Sequence, residues 1–126
     1  MSTGAVLAYA ASAILIAWGA AHLGPTRAVA ASFGAISVDN RRILVMEWVA
    51  EGITHISIGV LVILATAIDG AADSTTQLLY VVAAGVLVVL AGLTAATGAR
   101  TPVVWFRICP FVLTSAALLL LIASFV

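Results

Sequence analysis

"RRILVMEWVAEGITHISIGVLV", residues 41–62, has the length and apolar character of a membrane-crossing helix, interrupted by Glu47, Glu51 and His55. About 20 mostly apolar residues span a bilayer core of about 30 Å as a helix. The three ionisable residues recur every fourth position, so they follow one side of that helix, drifting about 40° per step. An ionised side chain at mid-bilayer costs roughly 2.5–3.5 kcal/mol on insertion scales. At about 1.5 Å per residue from Ile43, Glu47 lies about 6 Å into the span, Glu51 about 12 Å and His55 about 18 Å. Glu47 can reach the interface. Glu51 and His55 must turn into the bundle or a wet cavity.

The rest of the chain agrees with a membrane setting. Of its 126 residues, 64% are hydrophobic and 8% charged, against about 45–50% and about 25% in an ordinary soluble domain. So small a volume cannot hide that much apolar surface from water. Five arginines balance five acidic residues and there is no lysine, which excludes a strong electrostatic attraction to nucleic acid. The single cysteine, Cys109, has no intrachain partner and reads as packing.

Four apolar segments, about 4–24, 43–67, 77–98 and 103–125, are each near the ~20 residues of a helical span. Gly24-Pro25 stops the first. Ile68-Asp69-Gly70 ends the second, and Ser74 to Gln77 fits a capping box at the start of the third. Thr101-Pro102 offers an N-cap and a first-turn proline for the fourth. Short connections predict antiparallel packing of spans two, three and four, an all-α, up-down four-helix bundle in one domain. Val29, Phe33 and Ile36 recur at helical spacing in the longer first connection, which is either a short surface helix or a plain loop.

Arg27, Arg41, Arg42, Arg100 and Arg107 all fall at the first and third connections. By the positive-inside rule those connections are cytoplasmic and both termini lie outside, in a bacterial-type inner (plasma) membrane. The first span lacks the basic leader of a cleaved signal peptide. Ala13, Ala17 and Ala21, Gly52 with Gly59, and Gly92 with Ala96 form small-residue stripes suited to close helix approach. So small a bundle is expected to enclose a site as a homo-oligomer or within a larger membrane complex.

At the depth of Glu47 and Glu51, on the arginine-bearing side, the sequence also places His22, Trp18, Trp48 and Arg107. Pro110 frees the carbonyl of Phe106 from its helical donor and opens that helix locally. The bland alternatives are ion pairs that hold helices in register and an interfacial tryptophan belt; for Glu47 beside Arg41, Arg42 or Arg107 the ion pair is the simpler reading. Ionisable groups deep in a span are functional by default. The expected site therefore has Glu51 as proton donor or acceptor, His55 as its partner and Glu47 with Arg107 as an orienting pair, with His22, Trp18 and Trp48 lining it. No HExxH or Glu-x-x-His occurs, and no metal or other cofactor is expected. Serine-triad elbows and phosphate-cradling glycine loops are absent. The chemistry best matched is general acid–base catalysis on a membrane lipid or other lipophilic molecule: isomerisation, epoxide opening or cyclisation. The rivals are a non-catalytic subunit and, with no polar route continuing past His55, a proton-coupled transporter.

Overall fold

The computed structural model describes residues 1–126. It is all helical: α1 (Thr3–Leu23), α2 (Thr26–Ser32), α3 (Val38–Ile68), α4 (Ser74–Ala96), a single 3-10 turn (Gly98–Arg100) and α5 (Val104–Ala123). The segments containing α1, α3, α4 and α5 are each long and apolar enough to cross a membrane, which marks a membrane protein.

The helix ends follow local chemistry. The Ser2 side chain accepts from the Ala5 amide at the start of α1, and Gly24-Pro25 separates α1 from α2 because proline has no N–H to continue the ladder. The first connection does contain a short helix: Val29 is buried in α2, whereas Phe33 at its end is exposed. Gly34 then takes φ +70°, a left-handed turn that suits glycine. α3 begins five residues before the expected span, capped by Ser37 accepting from the Asn40 amide, with Asp39 in its first turn. That polar turn has no hydropathy signal; the cap and an acidic group at the helix N-terminus favour it instead. Arg41 and Arg42 thus lie inside α3. Arg41 donates to the carbonyls of Ala30 and Gly34, fastening the α2 connection to it.

Two expected caps are replaced. At α4 the N-cap is Asp73, whose carboxylate accepts from the Thr75 and Thr76 amides. Ser74 is the first helical residue, because a charged acceptor at the positive helix end outcompetes a hydroxyl. At α5 the helix starts at Val104 with Val103 extended before it. The Thr101 hydroxyl donates to the Gly98 carbonyl and closes the 3-10 turn instead of capping α5.

Packing order differs from chain order. α1 packs against both α3 and α5, and α5 against α4, whereas α3 and α4 make little contact. The expected hairpin packing of the middle spans is therefore reduced to contact near one end, and the close packing runs from α3 through α1 and α5 to α4. The α1–α3 seam rests on backbone approach: a Cβ on Gly19 would lie 2.5 Å from the Gly52 carbonyl oxygen, and one on Gly59 3.0 Å from that of Ser12. Such approach is how membrane helices gain van der Waals contact. Gly52 and Gly59 serve as expected, but Ala13, Ala17, Ala21, Gly92 and Ala96 all face outward. Leu15, Tyr80, Leu87, Leu113 and Leu120 fill the core. Where α3 ends and α4 begins, the buried hydroxyls of Thr66 and Tyr80 meet at 2.6 Å and tie the two helices.

Candidate functional site

At the other end of that pair the helices part. The gap is a cleft of about 440 Å³ lined from α3 by Glu47, Trp48, Glu51 and Thr54, from α4 by residues including Leu90 and Thr94, and from α5 by Phe106. Glu51 is the deeper carboxylate, about a third exposed; Glu47 is exposed toward the outside.

Behind Glu51 is an aromatic and imidazole cluster centred on His22, which is only 4% exposed. Its ring stacks on Trp48 at 4.5 Å between centroids and meets Trp18 edge-on at 5.3 Å and His55 at 5.5 Å. Phe106 packs edge-on against Trp48, and Trp105 tilts against Trp18 at 6.4 Å. Two backbone-directed contacts fix the cluster. His22 lies in the last turn of α1, where carbonyls lose their helical donors; its carbonyl accepts from the buried Trp48 indole N–H across to α3. Its Nδ1 lies 3.0 Å from the Trp18 carbonyl oxygen. A carbonyl can only accept, so Nδ1 carries the proton. In the neutral ring, Nε2 then presents its lone pair toward Glu51 Oε1, 3.8 Å away.

The structure thus brings Glu51, His22, Trp18 and Trp48 together, with a different pairing from the expected one. Glu51 pairs with His22 across the α1–α3 seam. His55, four residues along the same helix, is fully buried beside His22, and both of its ring nitrogens lack a hydrogen-bond partner. Residues four apart share a side of the helix, but the 40° drift turns His55 into the seam while Glu51 stays at the cleft. Arg107 is exposed and makes no ion pair, so it orients neither Glu47 nor Glu51. The one ion pair between fully charged groups joins Arg42 and Asp39 on the surface, where such a pair contributes little.

Sequence reasoning passed over Cys109. It is 2% exposed, and its sulfur lies with His22 and Glu51 in a group whose ligand atoms are all within 4.8 Å of one another. Trp18 and Thr94 are its polar neighbours. Nothing in a lone cysteine on an apolar helix signals this. The nearby Pro110, which lies within α5, is the only local cue.

Compared with protein-family models, curated proteins and solved structures, the chain has no match.

Proposed function

We propose that the protein is a small integral membrane enzyme that performs general acid–base chemistry on a lipophilic substrate entering the α3–α4 cleft from the side. The observation that carries this reading is the position of Glu51: a carboxylate on the wall of a largely apolar cleft, backed by an imidazole 3.8 Å away. A small molecule's apolar body fits such a cavity while one polar group orients it. A carboxyl can give a proton at one carbon or oxygen and, as carboxylate, take one back from another, while the neighbouring imidazole can hold that proton on Nε2 between the two steps. Isomerisation, epoxide opening or cyclisation needs little more. In this reading Glu51 moves the proton and His22 is its partner. Trp48 and Trp18 hold His22 in place, Glu47 lies at the outer wall, and His55 supports His22 from behind.

On the positive-inside rule we place the arginine-bearing ends of the spans, where the cleft lies, at the cytoplasmic face of a bacterial-type inner membrane, with the helices passing up and down and both termini outside. Labelling a cysteine introduced in the 69–76 loop with an impermeant reagent checks this; labelling only from the cytoplasmic side would reverse it. The activity reading is tested by purifying the protein and its Glu51→Gln variant and extracting bound lipophilic molecules. Wild type should carry or convert a molecule that the variant carries but leaves unchanged. Equal conversion by both removes Glu51 from the chemistry.

A second reading, a non-catalytic subunit of a larger membrane complex or homo-oligomer, has one observation in its favour. On α4, Gly85 and Gly92 have open space where a Cβ would stand, which leaves a smooth strip for another helix. Purification from the native membrane with a stoichiometric partner chain would favour it.

A further inference from the structure

We infer that His22, Glu51 and Cys109 form a three-ligand site for a divalent transition cation of the zinc type, with a fourth position open to the α3–α4 cleft. The three side chains come from α1, α3 and α5, so the site exists only when those helices are assembled. Their imidazole, carboxylate and thiol are the donor types zinc accepts, and a catalytic zinc site keeps three protein ligands and one open position. The ligand atoms already lie within 4.8 Å of one another, and His22 Nε2 is 3.8 Å from Glu51 Oε1. Metal–ligand distances of about 2.0–2.3 Å in a tetrahedron separate ligand atoms by roughly 3.3–3.7 Å. A small inward adjustment of the side chains suffices.

Three further features point to a ligand between them. No hydrogen bond joins any two of the three groups, and the His22 Nε2 lone pair and the Glu51 carboxylate, both acceptors, lie 3.8 Å apart with no donor between them. His22 donates Nδ1–H to the Trp18 carbonyl, the outer-shell arrangement that fixes the tautomer of a metal-ligating histidine and leaves Nε2 free to bind. The buried Trp18 indole N–H makes no close hydrogen bond, and the Cys109 sulfur is the group placed to accept from it. A metal-bound thiolate is a far better acceptor than a thiol. Beside the cluster, the fully buried His55 also has both ring nitrogens unpartnered. Glu51 alone of the three ligands reaches the cleft, so the open coordination position faces it. A water bound there gains acidity from the cation.

This site uses the side chains of the acid–base reading and competes with it, because a carboxylate and an imidazole bound to a cation do not exchange a proton; metal content, measured without substrate, tests the site independently. The experiment strips the purified, detergent-solubilised full chain with chelator, adds zinc or cobalt(II), removes excess by gel filtration and measures bound metal. Wild type should retain about one zinc per chain, and its cobalt form should show a thiolate-to-metal charge-transfer band. Cys109→Ala and His22→Gln should weaken retention at least tenfold, whereas Arg107→Gln should not change it. Should Cys109→Ala fail to remain monodisperse, Cys109→Ser and the wild-type cobalt band decide. Absence of retained metal, a cobalt form without the thiolate band, or retention indifferent to both Cys109 substitutions overturns the inference. If wild type holds metal through Cys109 but no lipophilic molecule is converted, the site stands and the acid–base reading falls.

Discussion

α3 and α4 are tied at one end and parted at the other, and the two ends differ in how far their buried polar groups are satisfied. At the tied end, the Thr66 hydroxyl lies 2.6 Å from the Val62 carbonyl oxygen and 2.6 Å from Tyr80, and the Asp73 carboxylate caps α4 below it. Those groups use one another, and the Thr76 hydroxyl alone is buried there without a partner. At the parted end, both nitrogens of His55 and the indole N–H of Trp18 are buried without partners, and Glu51 meets His22 at ion-pair rather than hydrogen-bond distance. Burying an unpaired polar group costs roughly 1–3 kcal/mol. A bundle held together only for stability would replace these residues with leucine or phenylalanine. The contrast separates a structural polar contact, which is closed, from a site, which is left with capacity to bind.

The largest expected effect breaks the frame on which the parted end depends. Gly19→Val sets a side chain where even a Cβ meets the Gly52 carbonyl at 2.5 Å, so α1 and α3 must separate. Thermal unfolding in detergent should show a loss of about 3 kcal/mol or more, whereas Gly85→Ala, with open space around it, should be silent. Trp48→Phe keeps the ring but removes the indole donor that caps the His22 carbonyl. It should cost about 1–2 kcal/mol and loosen His22, read as greater solvent accessibility of that imidazole by NMR.

The next two substitutions are expected to have opposite signs, which sharpens the contrast directly. His55→Leu removes two unpartnered nitrogens from a fully buried position and should raise stability by about 1 kcal/mol. Tyr80→Phe removes a satisfied hydroxyl and should lower it by about 0.6 kcal/mol, the average for a side-chain hydrogen bond measured within a membrane bundle. A destabilised His55→Leu variant would mean that His55 is itself a structural partner. The smallest effect belongs to Arg107→Gln. An exposed, unpaired guanidinium should change stability by less than about 0.5 kcal/mol, and a larger loss would restore the expected pairing with a carboxylate.

Part of the site was legible because the bilayer makes polarity conspicuous. Glu51, His55 and His22 stand out in apolar runs, and Trp18 and Trp48 share their depth. The pairing among them was not legible, since it depends on helix rotation. Glu51 and His55 are equivalent by spacing, and the fit of Gly19 against Gly52 decides that His22, not His55, meets the carboxylate. Cys109 was invisible for a different reason: a thiol on an apolar helix has the size and hydropathy of ordinary core residues, and only its neighbours give it chemistry. Likewise the polar first turn of α3 escaped a reading based on hydropathy, while Ser37 as its cap was a signal present in the residues themselves.

By itself the sequence determined the number and approximate extents of the helices long and apolar enough to cross a membrane, because hydrocarbon tolerates only long apolar segments whose backbone bonds close within the helix. It also singled out the ionisable groups that sit within apolar runs and cannot face lipid cheaply. The tertiary structure alone decided which helices touch, that the close packing runs from α3 through α1 and α5 to α4, and that His22, Glu51 and Cys109 converge. Lipid is as apolar as leucine and gives helices little reason to prefer one neighbour. The choice therefore falls to short-range fit, such as glycine against backbone and a buried indole against a helix-end carbonyl, which no one-dimensional pattern records.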